Sequence, residues 1–338
     1  MATLKEIAAR CGCSVAAVSK ALNGMPDISE ATARRVRQAA EELGYVPNSA
    51  ARTLRTNHSN VIGLLLFIRD KQVWYHEYFA SIAAGIQEAI ELKGYDLAPV
   101  TSTACGDQEH FLSYCQYRGY DGVIVMCDAS DKPVVEDLLN SELPLVTIDR
   151  AFPTRSAVLS DNVRGMQDLV SYIHGMGHTR IAFIHGDKST VTQVRINAFL
   201  DACREKGIVV PPEYVRASFY RDPAASMAVT RELLALPERP TCIIYPDDRA
   251  YTGGMNAILD AGLRIPEDVS AAGYDGIPMA ELLRPPLTTI RQEGETLGRH
   301  AGEMILEAIR RPRSFKPRHV TVPGSLIPGG TDADIRSR

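Results

Sequence analysis

The sequence predicts an α/β protein, with a small all-α head joined to a two-lobed body of doubly wound parallel sheets. Three observations carry that prediction. Residues 3–43 hold three short amphipathic helical patterns with no β-rich run between them. From residue 60 onward, short runs rich in Val, Ile and Leu alternate with helical stretches, the pattern of parallel strands and crossover helices. The strand-like runs are too many for one compact lobe, so two lobes are expected, each with its own sheet.

Composition bounds the function. With 45% hydrophobic and 23% charged residues, the chain resembles an ordinary globular protein able to bury large cores. No apolar run approaches the roughly 20 residues that cross a bilayer. The opening MATLKEIAARCGCS lacks the apolar core of a signal peptide, so a cytoplasmic protein with no membrane partner is expected. Seven scattered cysteines agree with a reducing compartment, and Cys11 and Cys13 have no second pair with which to hold zinc. The formal charge of −4 is unevenly spread. Residues 1–56 carry eight Lys or Arg against five acids, a net +3, which leaves −7 on the remainder. A basic head on an acidic body suits a polyanion partner for the head alone.

The head begins with Thr3-Leu4-Lys5-Glu6, a capping box. Leu4, Ile7, Ala8 and Cys11 follow at helical spacing, Gly12 stops the helix, and Ser14 caps the next. Two helices joined by about three residues containing Gly form a helix-turn-helix. The second helix, in SVAAVSKALNG (14–24), places Val15, Val18, Ala21 and Leu22 on one side and Ala16, Ser19, Lys20 and Asn23 on a second stripe. That stripe is an ordinary solvated helix face or a surface for the major groove, where small residues allow close backbone approach. There Lys20 can donate to guanine O6/N7, and Val15 or Ala16 can meet a thymine methyl. A third helix is expected from Ser29 to Leu43, with Thr32, Val36, Ala39, Ala40 and Leu43 inward and Gly44 as its stop. Arg34, Arg35 and Arg37 touch phosphate or solvate that helix. Next comes NSAARTLR (48–55), with Asn48 as an N-cap and Ala50 and Leu54 on one face. Eight residues are too few for a stable isolated helix, which needs about 12–15. The segment is a flexible linker, or it folds only against DNA and a partner subunit with Leu54 wedged into the minor groove.

The run TLKEIAARCGCSVAAVSKALNG, followed by ISEATARRVRQAAEELGYVPNSAARTLR, closely resembles the DNA-binding head and hinge of the LacI/GalR family of bacterial transcription regulators. The resemblance implies a homodimer on a near-palindromic double-stranded operator, with paired hinge helices inserting Leu54 at a central step, usually CpG. It places base reading at Val15, Ala16 and Lys20. Ser14, Ser19, Asn23, Asn48, Ala51, Arg52 and Arg55 complete the expected DNA-contacting set.

In the body, strands are expected at 61–67, 95–100, 122–126, 145–149, 181–185, 242–246 and 270–275. Helices are expected at 78–93, 107–117, 163–175, 193–206, 224–236, 249–262 and 293–310. In doubly wound folds ligands bind at the carboxyl ends of strands, so two facing lobes would enclose a ligand. The family resemblance continues through DRAFPTRSAVLSDN, GHTRIAFIHG, Arg195 to Phe199, PDDRAYTGG, GLRIPEDVSAAGYDG and PPLTTIRQ. These are landmarks of the periplasmic-binding-protein-like effector domain. It implies a head at 1–46, a hinge at 47–59 and an effector domain at 60–338. Lobe one would be about 60–159 and 291–321, and lobe two about 160–290 and 322–338.

The resemblance also implies an effector site. Arg195 and Asp248 match positions that hydrogen-bond a ligand, often sugar hydroxyls, and Asp275 matches another polar position at the cleft. Tyr78 and Phe79 match an aromatic pair suited to stacking on a ring, and Tyr220 lies near a position that presents an aromatic. Family frequency favours a sugar over a purine or other small metabolite. Around this site the sequence departs from the pattern: VWYHEYF replaces the usual Asn-Pro before the aromatic pair, Ala198 and Gly276 stand where Gly and Asp are common, and PDD has an acid where Asn usually precedes the Asp.

HGMGH (174–178) reads as a helix terminus and turn, because Gly175 and Gly177 interrupt any helix that would align two metal ligands. There is no Walker A loop, G-x-S-x-G elbow or HExxH, so neither an enzyme nor a cofactor is expected. PGGTDADIRSR carries no leucine heptads to predict a tetramer. The sequence thus predicts a repressor controlled by a small molecule. A solute-binding receptor without DNA function would share the body, but the head opposes it.

Overall fold

The computed structural model describes residues 2–22, 24–46, 53, 58–67, 76–100, 111–127 and 133–336. By its internal contacts the chain divides into two units, residues 1–59 and residues 60–338.

The first unit is helical: α1 (Leu4–Cys11), α2 (Val15–Leu22) and α3 (Glu30–Glu42). The capping box at α1 is closed in both directions, with Thr3 N–H donating to Glu6 Oε2 at 2.7 Å and Glu6 N–H to Thr3 Oγ1 at 3.4 Å. Gly12 ends the helix at φ 60°, a left-handed turn that a Cβ would disfavour. Ser14 Oγ accepts from Ala17 N–H at 3.1 Å, and Ser29 Oγ from Thr32 N–H at 3.3 Å, so each following helix starts on a serine. Ile7, Val18 and Val36 are fully buried at the centre, ringed by Ala8, Ala21, Ala33, Ala39 and Ala40. Two expectations are corrected. The inward residue on the first turn of α3 is Ala33, because Thr32 turns back to share a hydrogen bond with the Ser29 hydroxyl at 2.9 Å. Val15 does not join the packed side of α2, since the first turn projects beyond the core and leaves it 40% exposed.

The second unit holds two open sheets. The six-stranded sheet is parallel in the order β11-β5-β4-β3-β1-β2. Its strands are β1 (Val61–Phe67), β2 (Asp96–Val100), β3 (Gly122–Cys127), β4 (Leu145–Ile148), β5 (Ser156–Ser160) and β11 (His319–Val322). Helices α4 (Glu77–Glu91) and α12 (Gly294–Arg310) cover one face through Ile82, Ile86, Leu297 and Ile305. The other face is covered by α5 (Phe111–Arg118) and α6 (Pro133–Asn140), through Phe111, Cys115 and Leu138. Burial on both faces explains why the central strands are continuous apolar runs.

The four-stranded sheet is parallel in the order β7-β6-β8-β9. It comprises β6 (Ile181–His185), β7 (Val215–Ala217), β8 (Cys242–Ile244) and β9 (Ser270–Ala272). One face packs on α7 (Asn162–Gly175) and α8 (Thr190–Glu205), and the other on α9 (Pro223–Leu234), α10 (Asp248–Asp260) and the short α11 (Pro278–Leu282). The chain passes between the sheets three times: after β5, after β10 (Thr289–Arg291), and from β11 into β12 (Ser325–Ile327). These crossings are tied side by side, since β10 and β12 pair antiparallel and Asp161 N–H donates to Val322 carbonyl at 2.9 Å.

Strands β5, β7, β10, β11 and β12 and helices α6 and α11 were not anticipated, being short or bracketed by proline and glycine. The run 270–275 stops as a strand at Ala272 and returns only as a single bridge from Asp275 to Arg291. There the Asp248 carboxylate crowds Gly273, and Asp275 turns to φ 102°. Of the expected helix 107–117, residues 107–110 lie outside the described set. Among the described residues no helix is long and apolar enough to cross a membrane.

Candidate functional site

On the first unit, Ser14, Val15, Ala16 and Lys20 are exposed and Ser19 is half-buried, so the predicted α2 stripe is a surface. The Lys20 ammonium pairs with Asp27, just beyond the helix, and that hydrogen bond holds the Asp27 carboxyl below the usual range. Asn23, Asn48, Ala51, Arg52, Leu54 and Arg55 lie outside the described residues.

In the second unit a cavity opens between the two sheets, at strand carboxyl ends and helix starts. Lobe one contributes His76, Tyr78, Phe79, Met126, Ile148 and Asp149. The other lobe contributes Ser189, Val191, Arg195, Tyr220, Arg221 and Asp247, and Asp275 and Gln292 enter beside the crossings. Five of the six predicted effector residues meet here: Tyr78, Phe79, Arg195, Tyr220 and Asp275.

Arg195 lies on α8, 4% exposed, and is held on two sides. Its Nε donates to Asn162 Oδ1 at 2.7 Å and its Nη1 to the Pro246 carbonyl at 3.1 Å, while the guanidinium sits 3.6 Å from the Tyr274 ring centroid. Burial opposes its charge, but Tyr220, Tyr274 and Asp275 together raise its pKa. Asp275 Oδ1 accepts from Gln292 Nε2 at 2.6 Å, and its Oδ2 is 3.7 Å from His76 Nε2. Burial pushes the Asp275 carboxyl up to about 7 against the pull of Arg195.

The aromatic groups are positioned differently from one another. Tyr78 is buried, its hydroxyl donating to Asp149 Oδ2 at 3.0 Å, so it also braces the end of β4. The Arg221 guanidinium lies 5.4 Å from the Phe79 ring centroid. Tyr220 shares a hydrogen bond with Thr192 Oγ1 at 2.9 Å and packs its ring on Gly186, where a Cβ would come within 2.3 Å of it.

Asp248 does not line the cavity, which corrects its assignment as an effector contact. It is fully buried, with Oδ1 accepting from Thr289 Oγ1 at 2.6 Å and Oδ2 from Ile277 N–H at 2.9 Å. Asp247 faces the cavity instead. As the N-cap of α10 it accepts from Ala250 N–H at 2.8 Å and Arg221 N–H at 2.7 Å. The sequence signal was available: where two acids open a helix, the first is the cap at the strand end and the second falls inside the first turn. Asp149, at the end of LVTID, was also findable from the rule that sites gather at strand ends. Ser189, the N-cap of α8, carried the same cap signal, whereas His76, Arg221 and Gln292 carried none.

His76 is the N-cap of α4 but makes no capping bond, and it is 3% exposed. Burial, aided by Arg221 and Arg249, pushes its pKa down to about 3, so the ring is neutral. The arrangement combines carboxylates, guanidiniums and rings around a small space, which suits holding a polar ligand.

Comparison with known proteins adds family information. Residues 3–48 match the model of bacterial regulatory proteins of the lacI family, and residues 170–331 match the periplasmic binding protein-like domain. The chain is 31% identical over 316 residues to the HTH-type transcriptional repressor PurR of Aliivibrio salmonicida, covering 92% of this chain and 93% of the relative. It is 31% identical over 318 residues to the ribose operon repressor of Haemophilus influenzae, again covering 92% and 93%. Among solved structures, a complex of the transcriptional regulator CelR with cellobiose superposes with a TM-score of 0.75 at 25% identity, covering 98% of this chain and all of that one.

Proposed function

The chain belongs to the lacI family of bacterial regulatory proteins, and from that premise we propose that it is a cytoplasmic repressor, homodimeric on a near-palindromic operator and released or engaged by a small polar effector, a sugar, in the cavity of its second unit. The family is one of regulators and not of catalysts. The observation that carries the effector half is the buried Arg195 guanidinium beside the Asp275 carboxylate in one cavity. Such a pair forms charge-assisted hydrogen bonds that orient a polyol. The ribose operon repressor and the cellobiose complex among the similar proteins support the sugar class. In the head, the exposed Val15, Ala16 and Lys20 enter the major groove, with Ser14, Ser19 and Asn23 alongside. Residues 48–55 fold against DNA, with Leu54 wedged at a central CpG and Asn48, Ala51, Arg52 and Arg55 around it.

The test is selection of duplexes from random DNA by the full chain, followed by anisotropy titration of the winner. A palindrome bound about 10³-fold or more over random duplex at about 150 mM salt is expected, with Leu54→Ala weakening it. A sugar is expected to shift that affinity about 5- to 150-fold. Equal affinity for all duplexes would remove the DNA-reading role.

A further inference from the structure

Two buried polar atoms at the cavity have no hydrogen-bond partner among the described residues: His76 Nδ1 and Gln292 Oε1. Both side chains line the cavity, and the two residues are only 3% and 8% exposed. An unmet buried polar atom weakens the fold, so two in one cavity point to a ligand that meets them.

Asp275 decides what kind of atom each presents. Its Oδ1 takes the Gln292 amide N–H at 2.6 Å, which leaves the amide oxygen as the group without a partner. Its Oδ2 lies 3.7 Å from His76 Nε2, which favours the ring proton on that nitrogen and the lone pair on Nδ1. One carboxylate therefore bonds the Gln292 donor and faces His76 Nε2 across 3.7 Å, while both acceptors are unmet. Around them, the carboxyls of Asp149, Asp247 and Asp275, which burial raises above their ordinary range, share the cavity with the guanidiniums of Arg195 and Arg221. A carboxylate or phosphate placed against this acceptor pair would meet lone pairs and no donor.

We infer that His76, together with Gln292, determines effector specificity: the pair takes two hydrogen bonds from an uncharged, hydroxyl-rich ligand and rejects the acidic counterpart. Asp275 is then a positioning residue for that pair as well as a polar wall of the cavity. This inference rests on the cavity being the effector site.

The experiment is isothermal titration of the full chain with D-ribose, D-glucose, D-galactose and cellobiose, set against D-glucuronate, D-galacturonate, ribose 5-phosphate and glucose 6-phosphate. A neutral sugar is expected to bind, with its acidic counterpart at least about tenfold weaker. His76→Phe keeps the ring's bulk without the acceptor. It is expected to weaken the neutral sugar about tenfold or more while leaving the melting temperature of the free protein equal or higher, because the unmet atom is gone. His76→Asn, which restores an acceptor, is expected to recover part of the affinity. Tighter or equal binding of an acid, unchanged affinity in His76→Phe, or a parallel loss of stability and affinity would each overturn the assignment and leave the effector cavity standing. Silence from both sets of ligands would overturn the effector-site proposal itself, and this inference with it.

Discussion

Asp247 and Asp248 are adjacent, yet one faces the cavity and the other ties the backbone at Ile277 to the β10 side chain of Thr289. Matching motifs by position selects the second of these, and cap geometry selects the first. Asp248→Ala is expected to cost about 1–3 kcal/mol by leaving two buried donors unpaired, as read by denaturant unfolding. Sugar affinity per folded molecule stays unchanged. An affinity loss without a stability loss would return Asp248 to the ligand. The His76–Asp275 contact makes a second prediction, in pH. Asp275, ordinarily near 3.8, is raised to about 7, so within that window the fold keeps a proton that the unfolded chain has released, and the group costs stability as pH rises. His76, ordinarily 6.5, is lowered to about 3, so the unfolded chain gains a proton first and the group costs stability as pH falls. From pH 7 to about 5, melting temperature is therefore expected to fall more steeply than wild type in Asp275→Asn and less steeply in His76→Phe. The same ordering in both variants would refute the opposed shifts.

At the scale of elements, the head was legible because its signals are local. Capping serines, a stop glycine and 3.6-residue periodicity all act within a turn or two of the residues they describe. The exceptions, Thr32 and Val15, lie in first turns, where a side chain can serve the cap or overhang the core. The body's central strands were legible as apolar runs. The edges β2 and β9 were legible too, but the edges β7 and β11, the interior β5 and the crossings were not, because three- to five-residue strands such as β10, β11 and β12 exist through pairing with distant partners. The α4–α12 pair shows a further requirement invisible in hydropathy. A Cβ on Gly298 would lie 2.0 Å from the Ile82 carbonyl oxygen, and one on Gly85 2.1 Å from that of Glu295. Gly298→Ala therefore forces the two helices apart, an overpacking cost of about 1–3 kcal/mol visible as a lower urea midpoint. An unchanged midpoint would mean that the helices are not in backbone contact.

For the whole molecule, the sequence predicted two kinds of architecture and an uneven charge, because composition and periodicity accumulate over long stretches. Membership of a site is a different matter. Gln292 and His76 are 216 positions apart and meet only because Asp275, on a third segment, contacts both. No spacing rule encodes such a meeting; it exists once the crossings bring β10 beside the start of α4.

Those crossings have a mechanical consequence. Three links lying abreast and stitched by backbone hydrogen bonds, from Asp161 to Val322 and from β10 to β12, behave as a strap. A strap bends readily across its width and resists twist and shear within its plane. On the proposed function, the body is expected to move along one soft arc, and a ligand of the cavity to act by choosing a stopping point along it. Ligands of differing girth are then expected to stop it at different points, and a graded series of them to give a graded, rather than two-valued, set of DNA affinities.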